Sequence, residues 1–222
     1  MPVSAISPRF APQDNDAYRN TFRRHVFGIL SGGYGRLNCS KYQAEQEPAI
    51  TGELVRGMRE FVEAPSAPTW ATRYAIHDDP PINSGGGRLG KKRLRFDIQF
   101  ERTCAGKRPR YGFEAKRLSG SSFGVKKYLE KEGLGAFLDG NYAAEEVEAG
   151  MIGYIQSDSE SEWVCKIEQG MKDRKSALQF CSDGEWKEEC VVKQLPFCFR
   201  TRHKRPTVKR EISVYHLMLL FK

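Results

Sequence analysis

Apolar positions along the chain change period several times, and each change marks an element. From Asp14, Tyr18, Phe22, Val26, Ile29 and Leu30 recur at three- and four-residue intervals, the spacing of a helix buried along one face. SGGYG (31–35) is expected to stop it, because glycine admits backbone conformations that end a helix. A second helix is expected over EPAITGELVRGMREFVEAP. Pro48 sits in its first turn, Ile50, Leu54, Met58, Phe61 and Val62 form its stripe, and Pro65 and Pro68 close it.

The period then shortens to two. TWATRYAIH reads as a strand, followed by the turn-rich HDDPPINSGGGRLGKKR. RLRFDIQF and YGFEAKRL read as two strands of a hairpin joined by a Gly- and Pro-containing connection. Downstream, Val125, Tyr128 and Leu129 mark a helix, and NYAAEEVEAG a short acidic helix running into the strand MIGYIQ. Trp163, Ile167, Met171 and Leu178 mark another helix. The strands ECVVKQLPFCFR and EISVYHLMLLFK flank a basic loop, TRHKRPTVKR. This order predicts an α/β (α+β) domain with a mixed sheet covered on both faces. Residues 1–44 are expected to form an N-terminal arm and helix, and 45–222 the main domain, within a single globular unit.

Composition narrows the function classes. With 222 residues and 39% hydrophobic content the chain can bury one substantial core. No apolar run nears the ~20 residues of a membrane helix and no secretory signal is visible, so a cytoplasmic location without a membrane partner is expected. Six scattered cysteines without a C-x-x-C pair, and only four histidines, are expected to be reduced thiols without a structural zinc. The formal net charge of +8 suits a polyanionic partner such as nucleic acid.

The hairpin carries charges that a buried sheet avoids. Strand alternation places Glu114 and Lys116 on one face, with Asp97 on the preceding strand. Two carboxylates and an ammonium converging on one point suit phosphodiester hydrolysis. The carboxylates would hold Mg²⁺, with Mn²⁺ as a substitute, and the lysine would position or activate water. A salt-bridged surface hairpin uses the same residue types. The triplet His77-Asp78-Asp79 reads as turn chemistry.

An Asp on one strand, Glu-x-Lys on the next and a Glu-bearing helix upstream resemble the PD-(D/E)xK restriction-endonuclease-like nucleases, although Phe96 stands where the family name has proline. EAKRL, Tyr128, Gly133 to Phe137, Gly140-Asn141-Tyr142, Gly150-Met151-Ile152-Gly153-Tyr154 and the terminal strand with His216 are similar to bacterial nucleases of phage defence, over roughly residues 45–220. The resemblance implies a restriction-endonuclease-like fold and catalysis by Asp97, Glu114 and Lys116. It implies metal held by Asp97, Glu114 and an upstream helix glutamate, with the Ala115 carbonyl as a further ligand. Glu53, deeper in the helix, is preferred over Glu47. Lys91, Lys92, Arg93 and Arg117 are the candidate phosphate contacts. The expected substrate is double-stranded DNA, under control by a protein partner or homo-oligomerisation. A catalytically inactive nucleic-acid-binding or assembly subunit, and an RNA or tRNA nuclease, are the alternatives.

Overall fold

The computed structural model describes residues 16–82, 93–104, 108–120 and 124–222. The elements are α1 (Asp16–Tyr34), α2 (Glu47–Glu63), β1 (Tyr74–Asp78), β2 (Ile98–Arg102), β3 (Arg110–Leu118), α3 (Val125–Leu129) and α4 (Leu134–Leu138). They continue with β4 (Glu148–Ile155), α5 (Glu160–Asp173), α6 (Lys175–Leu178), β5 (Lys187–Glu188), β6 (Cys198–Arg205) and β7 (Arg210–Leu220). One seven-stranded sheet has the order β1-β2-β3-β4-β7-β6-β5. β4 is parallel to β3 and β7, and every other pairing is antiparallel. The mixed sheet flanked by helices is therefore as expected.

Strand alternation builds two cores. On one face Phe113, Ala115, Ile152, Tyr154, Tyr215 and Leu217 pack with Phe27, Leu30 and Leu54 of α1 and α2. On the other, Phe96, Leu118, Met151 and Val214 pack with Tyr128, Phe137, Trp163 and Ile167 of α3 to α5. α1 thus shares its core with the sheet: Phe27 lies 5.9 Å from Phe113 and 5.7 Å from Tyr215.

Several expectations are corrected. α1 ends inside SGGYG as expected, at Tyr34 before Gly35, but Gly32 and Gly33 still belong to the helix. They let α2 approach, since a Cβ on Gly33 would lie 2.6 Å from the Met58 amide nitrogen, and one on Gly57 2.7 Å from the Gly33 oxygen. TWATRYAIH is a 3-10 turn at Ala71–Arg73 followed by β1. NYAAEEV (141–147) is a run of bends, with Ala143 at φ 51°. Buried Arg205 takes the carbonyls of Ala143 (2.6 Å) and Glu146 (2.7 Å), replacing the bonds a helix would supply. Residues 189–197 are turns and bends, while most of the basic loop is strand, with Thr201, His203 and Arg205 inward and Lys204 outward.

A buried polar chain ties this second face together. Tyr128 donates to His216 Nδ1 (3.1 Å), His216 Nε2 and Thr201 Oγ1 are 2.8 Å apart, Thr201 Oγ1 and His203 Nε2 are 2.7 Å apart, and His203 Nδ1 donates to the Leu178 carbonyl (2.7 Å). With Nδ1 of His203 donating to a carbonyl, its Nε2 must accept, which sets the direction of the whole chain with both rings neutral. All six cysteines are free. No helix among the described residues is long and apolar enough to cross a membrane.

Candidate active site: an acidic cluster at the open edge of β3

β2 accompanies β3 only as far as the pair Ile98↔Phe113. Beyond it, Glu114 to Leu118 pair with β4 alone, which leaves one edge of β3 open. Unpaired backbone groups at such an edge need partners, and two carboxylates supply them. Asp97, in the bend immediately before β2, accepts from the Ala115 amide at Oδ2 (2.6 Å). Glu47, the first residue of α2, accepts from the Arg117 amide at Oε2 (3.1 Å).

The same edge presents the Ala115 carbonyl, which accepts from Lys116 Nζ at 2.7 Å. That ammonium also donates to Glu114 Oε1 (2.7 Å) and Glu47 Oε1 (3.3 Å). Its side chain is 12% exposed and that of Glu114 8%. Glu114 Oε2 is buried and has no hydrogen-bond partner.

Burial governs the electrostatics. It pushes the Asp97 carboxyl up to about 6 against the pull of Lys116 and the Ala115 amide. It pushes Glu114 up to about 8, reinforced by the charge of Asp97. Burial works against the Lys116 ammonium too, but Glu114, Glu47 and Asp97 outweigh it and raise its pKa. Lys116 therefore stays protonated in this arrangement.

The structure brings together Asp97, Glu114, Lys116, the Ala115 carbonyl and Glu47. It does not bring in Glu53, which was preferred from the sequence. Six residues further along α2, Glu53 is ~9 Å farther up the axis and turned by about 240°. Its carboxylate pairs with Arg56 and accepts from Tyr42 (2.8 Å). Arg117, assigned to phosphate, spends its side chain on its own chain: Nε donates to Gln156 Oε1 (2.8 Å) and Nη1 to Gln46 Oε1 (2.6 Å). Lys91 and Lys92 lie outside the described residues, and Arg93 is the first described residue after them.

No protein-family model, curated protein or solved structure matches this chain.

Two residues lie near the cluster without having been assigned a role from the sequence. Gln156, 5% exposed at the end of β4, donates through Nε2 to the carbonyls of Tyr42 (2.8 Å) and Glu45 (2.9 Å). It holds the segment leading into α2, and with Arg117 it sets where Glu47 reaches the edge. A polar residue directly after MIGYI was the available signal. Tyr142 packs against Phe96 (5.2 Å) and Phe137 (5.6 Å). Burial raises its phenol, as do the nearby charges of Glu114 and Asp97.

Among the described residues, no group of three or more His, Cys, Asp and Glu side chains is gathered to hold a metal ion. The oxygen donors at this edge are Asp97, Glu114 and the Ala115 carbonyl, an all-oxygen set of the kind hard divalent cations take. The unpartnered Glu114 Oε2 fits such a cation, because a buried carboxylate oxygen is costly unless a charge or a donor meets it. A cavity of about 780 Å³, lined by residues including Tyr18, Phe22, Glu101, Arg110 and Glu148, includes none of the cluster residues.

Proposed function

We propose that the chain is a Mg²⁺-dependent nuclease hydrolysing phosphodiester bonds of DNA. The observation that carries this reading is the orphaned, buried Glu114 oxygen beside Asp97, the Ala115 carbonyl and a protonated Lys116. Asp97, Glu114 and the Ala115 carbonyl would hold Mg²⁺, or Mn²⁺ in its place. A bound divalent ion supplies charge neutralisation at the phosphate and a lowered pKa for its water.

The chain's own groups do the rest. Lys116 holds its proton at Nζ and donates a hydrogen bond to a phosphate oxygen, where negative charge develops. Glu47 anchors that ammonium from the start of α2. Glu114 is buried and Asp97 half-buried, so their charge, once ionised by a bound cation, is poorly screened. The resemblance to phage-defence nucleases and the net charge of +8 support a double-stranded DNA substrate and control by a partner or a second copy.

One observation favours a second reading, a catalytically inactive nucleic-acid-binding or assembly subunit. Asp97 and Glu47 already cap the β3 edge, and Lys116 already neutralises Glu114. The deciding experiment incubates plasmid DNA, and separately RNA, with the purified protein in Mg²⁺ or Mn²⁺, beside Asp97→Asn and Lys116→Ala. Metal-dependent DNA cleavage lost in both variants is the expected result. Salt-sensitive binding without any product would select the inactive subunit, and cleavage of RNA alone the RNA nuclease.

A further inference from the structure

A second feature lies at the far end of β1 and β2 from the acidic cluster. The pair Tyr74↔Arg102 closes one end of this two-strand ladder and Asp78↔Ile98 the other, next to Asp97. At four residue steps of about 3.3 Å the two ends are ~13 Å apart. At the Tyr74 end, His25 of α1 stacks flat on Trp70, with ring centroids 4.1 Å apart and planes 6° apart. His25 Nδ1 is 2.9 Å from the Tyr74 hydroxyl, and the Arg102 guanidinium lies 5.1 Å from the centre of the Tyr18 ring.

Arg24 and Arg73 are exposed beside this stack. Among the described residues, neither they nor Arg102 has a carboxylate partner. Arg24 is the chain neighbour of His25, Arg73 that of Tyr74, and Arg102 is the strand partner of Tyr74, so three arginines flank the stack. Burial, and then their charges, lower the pKa of His25. Other arginines are committed within the chain: Arg23 to Glu148, Arg56 to Glu53 and Glu60, and Arg108 and Arg110 to Glu101, while Arg36, Arg59 and Arg174 donate to main-chain carbonyls.

We infer that Arg24, Arg73 and Arg102, around the His25–Trp70 stack, form a docking surface for the phosphate backbone of the nucleic acid whose reacting phosphate lies at Asp97 and Glu114. Three unmatched guanidinium groups complement a polyanion, and half-buried aromatic rings between cations suit nucleic acid better than an acidic protein. The ~13 Å separation corresponds to about four base pairs of duplex. The surface lies along the edge strand β1, on the side of the sheet away from β5 and β6. The inference rests on the nuclease reading for the identity of the polyanion and for the place of its reacting phosphate, and on the arginines alone for the docking surface.

The test is fluorescence anisotropy with a labelled DNA duplex of about 24 base pairs, and its single strand, in EDTA across a KCl series. Arg24→Glu/Arg73→Glu is compared with Lys187→Glu/Lys204→Glu, an equal charge change at exposed positions on the opposite edge. The first variant is expected to bind at least ~10-fold more weakly than wild type, with the log–log salt slope shallower by about 2, and the control to stay within about threefold. Equal losses in both variants, or none in either, overturn the inference. Unchanged DNA binding would assign the surface to an acidic protein partner. A parallel assay of metal-dependent cleavage separates the two readings. Inert wild-type protein with binding lost only in the first variant rejects the nuclease and keeps the surface. Active protein with binding unchanged in the first variant does the reverse.

Discussion

Asp97 is bound to Ala115 through the backbone: its carboxylate accepts the Ala115 amide at 2.6 Å, and the carbonyl of that same residue receives the Lys116 ammonium. One residue without a functional side chain thus holds both charged partners at the edge of β3. Asp97→Asn keeps an acceptor for the amide and removes the charge. It should melt within ~1 kcal/mol of wild type and lose cleavage by at least ~100-fold. Asp97→Ala should in addition lose about 1–3 kcal/mol in urea unfolding, because the Ala115 N–H is left unpaired.

The two helix carboxylates separate by function. Glu47→Gln should lower the apparent metal affinity or the cleavage rate by about 10–100-fold, as groups that orient a metal site do. Glu53→Gln, which disturbs only Arg56 and Tyr42, should stay within about twofold. The reverse order would return Glu53 to the site.

Gln156 acts at one remove. Gln156→Ala frees Arg117 Nε and the carbonyls of Tyr42 and Glu45. The expected result is a ~10-fold higher metal concentration for half-maximal cleavage, with the rate at saturating metal largely retained. An equal loss at every metal concentration would count against a positioning role.

Glu114 carries a stability cost that depends on pH. Its carboxyl is raised from 4.5 to about 8 on folding, so the folded state binds the proton more tightly. Stability from this group is full below about 4.5 and declines as pH rises towards 8. Glu114→Gln keeps an acceptor for Lys116 and removes the buried charge. At pH 8 it should gain about 1 kcal/mol, roughly 2–4 °C in Tm, with no gain at pH 4.5. A lower Tm at pH 8 would mean that the ion pair with Lys116 outweighs the burial.

His203 has the opposite dependence. Burial lowers it from 6.5 to about 4, despite the hydrogen bond to Leu178, so its contribution is full above 6.5 and is lost as pH falls towards 4. Thr201→Val, which breaks the chain between His203 and His216, should cost about 2–4 kcal/mol at pH 7. It should also shift acid unfolding to higher pH, and an unchanged acid midpoint would contradict the neutral chain.

Much of this protein was legible in one dimension. The stripe from Tyr18 to Leu30, the start of α2 at Glu47-Pro48 and the strand character of YGFEAKRL follow from local periodicity and capping, which act within a few residues. The same alternation put Glu114 and Lys116 on one face and left Asp97 on the neighbouring segment. Tertiary structure decided what depends on distant partners. Glu47 and not Glu53 reaches the cluster because β3 outruns β2 and offers a free amide at Arg117. Residues 141–147 are bends and not helix because a buried arginine about sixty residues away takes the carbonyls of Ala143 and Glu146. Gly33, in the last turn of α1, lets α2 approach, since the steric reason for glycine there lies on the other helix. Local preference set which elements could form, and long-range hydrogen bonding and packing chose which residues met at the edge of β3.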